Sequence, residues 1–212
     1  MNENVNAAGS GGTEISRTRF IAQVAMLGAL GGVLMNLEIP VPFLAPSFYK
    51  FDFSEVPIMI GAFAMGPMAG VMSELVKILV HLVTKSTETA FVGDIANFIM
   101  GCAYLLPACL IYRAGQKKSR RRALTGMLCG ILVTTVAAVF LNAFVLLPAY
   151  SKAFGVPIEN FIQMGSAVHS AVNSLLTFAL LIVAPFNLFK YLIVSAIVFL
   201  LYKHVRVILR GR

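Results

Sequence analysis

The stretch Val56-Pro-Ile-Met-Ile-Gly-Ala-Phe-Ala-Met-Gly66-Pro67-Met-Ala-Gly-Val-Met-Ser-Glu74-Leu-Val-Lys77-Ile-Leu-Val-His81-Leu-Val83 decides how often this chain can cross a bilayer. It is almost wholly apolar, with Gly66-Pro67 near its middle. Proline brings no N–H and glycine tolerates backbone angles closed to other residues, so the pair marks a turn. As one kinked helix the stretch counts as one crossing. As two short spans around a tight turn it counts as two.

Charge placement separates these readings, because cytoplasmic loops collect Lys and Arg. Arg17 and Arg19 precede the first apolar segment. Arg113, Lys117, Lys118, Arg120, Arg121 and Arg122 fill one loop, and Lys203, Arg206, Arg210 and Arg212 follow the last segment. If all three clusters lie inside, an even number of crossings separates each pair. Between the first two lie segments 20–37, 56–83 and 95–112, so evenness requires 56–83 to cross twice, with Gly66-Pro67 as a cytoplasmic turn. Between the second and third lie 123–148, 160–184 and 188–202. Parity allows two crossings, expected at 123–148 and 188–202. Segment 160–184, interrupted by Gln163, His169 and Asn173 and followed by Pro185, is then expected along the outer face or re-entering the membrane.

The predicted fold is an all-α polytopic membrane protein. It has six transmembrane helices, a long structured outer loop after the first, and an outer or re-entrant segment before the sixth. Residues 1–16 form a polar tail, predicted to be disordered and cytoplasmic, and 17–212 the six-helix domain. Lys50, Lys85 and Lys152 then face Glu38, Asp52, Glu55, Glu88, Asp94 and Glu159 outside, so the outer side is acidic and the inner side basic.

Composition agrees. Of 212 residues, 58% are hydrophobic and only 12% charged, about half the roughly 25% of a soluble domain. So few charges cannot cover a water-soluble globule, and the apolar content excludes disordered and collagen-like classes. The net charge of +8 is explained by membrane orientation. The lipid bilayer is therefore the expected partner, and nucleic acid is not. Cys102, Cys109 and Cys129 lie in apolar runs without metal-ligand spacing and read as small core hydrophobes.

No sequence pattern points to an enzyme. There is no G-x-x-x-x-G-K-[ST] phosphate loop, no H-E-x-x-H and no paired His/Cys ligand set, so no metal site or catalytic residue is expected. What remains are polar groups at membrane depth. Glu74 and Lys77 are three apart on one helix face, with His81 a turn further, and read as a structural ion pair. Asp52 or Ser54 can cap the helix that Pro57 opens. Gly93, Asp94 and Asn97 open one span, Asn142 lies near the outer end of the next, and Asn187 and Lys190 share a face at the start of the last. Three such clusters at one depth favour a shared polar pocket, beneath a Pro- and aromatic-rich loop running from Leu37 to Asp52. Ala25-x-x-x-Ala29 and Gly28-x-x-x-Gly32 allow close helix approach, either within the molecule or to a partner.

Several stretches together resemble the riboflavin-specific substrate-binding subunits (S components) of energy-coupling factor (ECF) vitamin transporters. They are Lys50-Phe-Asp-Phe-Ser-Glu-Val-Pro57, Ala62-Phe-Ala-Met-Gly-Pro-Met-Ala-Gly70, Glu74-x-x-Lys77, Gly93-x-x-Ala-Asn-Phe-x-x-Gly101, Asn142 and Pro185-Phe-Asn-x-x-Lys190. The resemblance runs from about residue 17 to the end, and stretch 149–184 is longer than in the family. It implies a bacterial plasma-membrane protein with both termini cytoplasmic, and a pocket near the outer surface. Asn142, Asn187 and Lys190 would bind the polar edge of the isoalloxazine ring. Leu44, Phe43 and Phe48 would flank the ring, and Asn97 and Gly93 would reach the ribityl hydroxyls. Riboflavin is then cargo rather than cofactor, and its phosphorylated form (FMN) is compatible. The resemblance also implies a separate transmembrane coupling protein, docked on the small-residue face Ala25, Gly28, Ala29 and Gly32, and two cytoplasmic ATPase subunits. Alternative readings are a sister subunit for thiamine or biotin, a small membrane enzyme, and a scaffold without ligand.

Overall fold

The computed structural model describes residues 17–87, 89–114 and 119–210, side chains of 202–210 excepted. The expected tail 1–16 lies outside the described residues. The chain is helical almost throughout. Helix α1 (Arg17–Met35) leads into a loop with a two-residue antiparallel pair, β1 (Ile39–Pro40) and β2 (Lys50–Phe51). Then come α2 (Glu55–Met65), α3 (Pro67–Thr84), α4 (Val92–Arg113), α5 (Arg120–Leu141), α6 (Leu147–Phe154), α7 (Ile158–Val168), α8 (Leu175–Phe178) and α9 (Ala184–Arg210).

Among the described residues, five helical stretches are long and apolar enough to cross a membrane: Arg17–Met35, Pro67–Thr84, Val92–Arg113, Arg120–Phe154 and Leu175–Leu201. This is a multi-pass membrane architecture. The chain does break at Gly66, whose φ of 122° suits glycine, and Pro67 opens α3. The remaining expected span, α2, has 11 residues, a length of about 16 Å against a hydrocarbon core of about 30 Å. Nearly every α2 side chain is buried. It is a short apolar helix held inside the bundle.

Helices α1 and α3 run parallel. A Cβ at Gly28 or Gly32 would come within 2.5 or 2.6 Å of the Val76 or Val80 Cβ, so only glycine permits this approach. Gly28 and Gly32 are thus used inside the molecule, which corrects their expected part in a docking face. Ala25 is exposed and Ala29 half-buried. The Arg113 guanidinium lies against the Gly66 turn. The start of α1, this turn and the α4–α5 connection therefore share one end of the bundle, and the 36–54 loop lies at the other.

The last crossing starts earlier than its sequence suggests. Segment 160–184 is not one unit: α7 stands apart, and the chain becomes helical again at Leu175 and continues through a π-helical turn, Ala179–Val183, into α9. Pro185 therefore lies inside a helix, although proline usually ends one. In the π turn the Ala184 N–H already bonds five residues back, to Ala179 O. That local rewinding accommodates the proline ring. The same device lengthens the preceding crossing beyond 148. A π turn at Asn142–Leu146 is followed by Leu147 and Pro148, and the helix runs on to Phe154.

Candidate functional site

A cavity of about 410 Å³ opens at the loop end, within the roughly 300–1,000 Å³ of small-molecule sites. It exists because α2 starts deep. Ser54 O lies 3.2 Å from where a Gly31 Cβ would stand, about one turn in from the loop end of α1. The 36–54 loop descends into the bundle to reach that point, and open space remains beside it.

Six of the eight expected ligand residues line the cavity: Asn142, Asn187, Lys190, Asn97, Gly93 and Phe48. Phe43 and Leu44 do not. Phe43 is 78% exposed and Leu44 packs on the loop-end apolar cluster. In a loop this irregular, the inward-facing positions depend on how the chain descends, which spacing does not encode.

One wall carries a hydrogen-bonded group around the two π turns. Asn142 Nδ2 donates to Ala138 O at 2.8 Å, and its Oδ1 accepts from the Tyr49 hydroxyl at 2.6 Å. Asn187 Nδ2 donates to Val183 O at 2.8 Å, and its Oδ1 has no partner among the described residues. Lys190 Nζ donates to Asp52 Oδ2 at 2.7 Å, which leaves two ammonium hydrogens for other acceptors. Asp52 Oδ1 accepts from the Ser54 N–H at 2.8 Å, so Asp52 rather than the Ser54 side chain supports the start of α2. Burial alone would raise the Asp52 pKa. The Lys190 and Lys77 ammonium groups outweigh it and hold the carboxyl below its ordinary range.

A second polar group surrounds the start of α4. Thr84 donates to main-chain carbonyls and accepts from Asn36 Nδ2 at 2.8 Å. Asn36 Oδ1 therefore accepts from His81 Nδ1 at 2.8 Å, and His81 Nε2 faces Asp94 Oδ1 at 3.7 Å. Asp94 is buried, and its Oδ2 has no hydrogen-bond partner among the described residues. A buried acceptor without a donor is costly, and here it lines an open cavity. Asn97 Nδ2 donates to Gly93 O at 3.2 Å. At the rim Lys50 and Lys85 both bind Glu38.

Below the cavity lies a charged group that does not line it. Glu74 and Lys77 are 2.6 Å apart, and Lys77 also donates to Glu55 at 2.7 Å, all three buried. A Cβ on Gly101 would come within 2.5 Å of Glu74 Oε1, so Gly101 provides the room for that carboxyl. Tyr49, Asp52 and His81 are polar cavity residues that sequence reasoning did not assign to the pocket, whereas Asp94 already stood in one of its polar clusters. The available signal was polarity inside the same quoted stretches.

The arrangement suits a mostly apolar ligand with one polar edge and a second hydroxyl-bearing part. A family model described as ECF transporter, substrate-specific component, matches residues 19–202. The chain is 31% identical over 189 residues to the riboflavin transporter RibU of Staphylococcus aureus, covering 89% of this chain and 91% of that one. It is 29% identical to the riboflavin transporter FmnP of Bacillus subtilis, covering 88% and 91%. A solved S component of a bacterial ECF transporter superposes with a TM-score of 0.69 at 29% identity, covering 90% of this chain and 96% of that one. The pattern of polar residues around a loop-end cavity and these likenesses have one conclusion: the chain belongs to the family of substrate-specific components of ECF transporters.

Proposed function

We propose that this chain captures riboflavin at the outer face of the bacterial plasma membrane and passes it inward as the binding subunit of an ECF transporter. The observation that carries the reading is the trio Asn142, Asn187 and Lys190 on one cavity wall. Asn142 offers an N–H, Asn187 an open Oδ1 and Lys190 further N–H groups. The polar edge of the isoalloxazine ring alternates carbonyl, N–H and carbonyl, which is the complementary order. Phe48 and the apolar lining take the flat ring. Asp94 Oδ2 accepts from a ribityl hydroxyl, with Asn97 and Gly93 beside it. The rim lysines are already shared with Glu38, which suits a neutral vitamin better than its phosphate. The flavin is cargo and not a resident cofactor.

The chain carries no phosphate-binding loop, so the driving force comes from a transmembrane coupling protein and two cytoplasmic ATPase subunits. Ala25 and Ala29, exposed and half-buried on α1, form the close-approach face for the coupling protein. Both termini are cytoplasmic, because the described members of the basic clusters gather at the end opposite the cavity. The absorbance spectrum of protein purified in mild detergent tests the ligand directly. Flavin bands support the reading, and a colourless protein that takes up thiamine or biotin instead overturns it. Trp at Ala25 or Ala29 is expected to abolish uptake while leaving flavin titrations unchanged. Loss of binding with intact assembly would contradict the docking assignment.

A further inference from the structure

Asn142 and Asn187 are anchored alike. Each donates Nδ2 to the carbonyl four residues back, in a helix rewound by a π turn. Those carbonyls only accept, so both amide orientations are fixed by their partners. The difference lies on the oxygens. Asn142 Oδ1 receives the Tyr49 hydroxyl at 2.6 Å. Asn187 Oδ1 receives nothing among the described residues. Because the Ala138 carbonyl claims the Asn142 nitrogen, the phenol can only donate. Burial holds the Tyr49 pKa well above its ordinary value, so that donor is present at any physiological pH.

We infer that Tyr49 sets the ligand specificity of the cavity by occupying Asn142 Oδ1, so that Asn142 meets the ligand through its remaining N–H as a donor, Asn187 as an acceptor and Lys190 as a donor. This inference rests on the flavin reading of the site and deepens it. A donor–acceptor–donor wall admits a ring edge of the imide kind: carbonyl, N–H, carbonyl. It rejects a ring in which an amino group replaces one carbonyl, because two donors would then face each other with neither satisfied. Tyr49 belongs to the loop and Asn142 to the helical wall, so the code is complete only when the loop is seated. Tyr49 is thus a positioning residue, acting through Asn142.

The experiment is a double-mutant cycle on the full chain in detergent, read by flavin fluorescence titration of the native chain, Y49F, N142A and Y49F/N142A. Y49F is expected to weaken riboflavin binding about 10-fold in the native background and less than about 2-fold in N142A. Competition with a flavin carrying an amino group in place of a ring-edge carbonyl gives a second readout. Its discrimination against riboflavin is expected to shrink at least about 5-fold in Y49F. Equal losses in both backgrounds would mean that Tyr49 acts only through loop packing, and would overturn the inference, as would unchanged affinity or unchanged discrimination. A native chain that binds no riboflavin would instead overturn the functional reading, and the inference with it.

Discussion

At the Gly66 end of the bundle Phe63, Tyr104 and Tyr112 are sealed from solvent, Tyr104 bonding Ser195 at 2.7 Å. At the loop end Phe48, Tyr150 and Phe154 stand around open space. Both ends use the same helices and the same aromatic residue types. The difference lies along the axis. One half is filled by α2, whose side chains are almost all buried. The other is entered only by a loop rich in proline, which cannot pack as a helix does. Hollowness here is a property of the central segment and not of the walls.

The comparison breaks most severely at Lys77, between the two halves. Lys77→Met leaves Glu55 and Glu74 buried without their cation, and is expected to cost at least about 3 kcal/mol. Thermal unfolding in detergent checks this, and an unmoved midpoint would show that the charged layer does not hold the halves together. Asn187→Ala comes next. It should weaken riboflavin binding by about 1–3 kcal/mol by leaving a ring N–H unpaired, with a much smaller effect on unfolding. Lys190→Ala should weaken binding similarly and also destabilise the ligand-free chain, because Asp52 then loses its partner. Asp94→Asn sharpens the picture of two polar groups in one cavity. It should cost about 1 kcal/mol against riboflavin and close to nothing against a flavin with a methyl group in place of the ribityl chain. Equal losses for both ligands would move Asp94 to the ring.

The smallest effect is on pH. The Asp52 carboxyl is held below its ordinary range. Its contribution to stability is therefore fully present above the unfolded pKa of about 3.9 and lost as pH falls through the lower folded value. The loop should detach in that acidic window, and Asp52→Asn should remove that part of the acid sensitivity.

Much of this was legible in the sequence for physical reasons. Gly66-Pro67 has few uses other than a turn, and asparagines and a lysine inside apolar segments have few uses other than partners or ligands. Glu55 escaped notice as the second partner of Lys77 because 22 positions separate them and no helical spacing links them. The start of the last crossing escaped because Pro185 carries a stop signal that a local rewinding overrides. Gly28 and Gly32 fit both internal and external packing, and only the position of α3 decides between them. That Phe43 and Leu44 do not line the cavity was not legible, because a loop without periodicity does not reveal which of its side chains turn inward.

Each of the two π turns holds one residue more than a regular helix would use over the same rise. Excising a single residue from either would return it to ordinary winding, and the ring of Pro148 or Pro185 would then meet the carbonyl four residues before it. Asn142, whose N–H still bonds Ala138 O in the regular helix before the first turn, would stay in place with the cytoplasmic half of its helix. The surplus residue thus makes room for a proline where the helical wall meets the binding chamber, so a length change there would strain that wall and leave the opposite end of the bundle untouched.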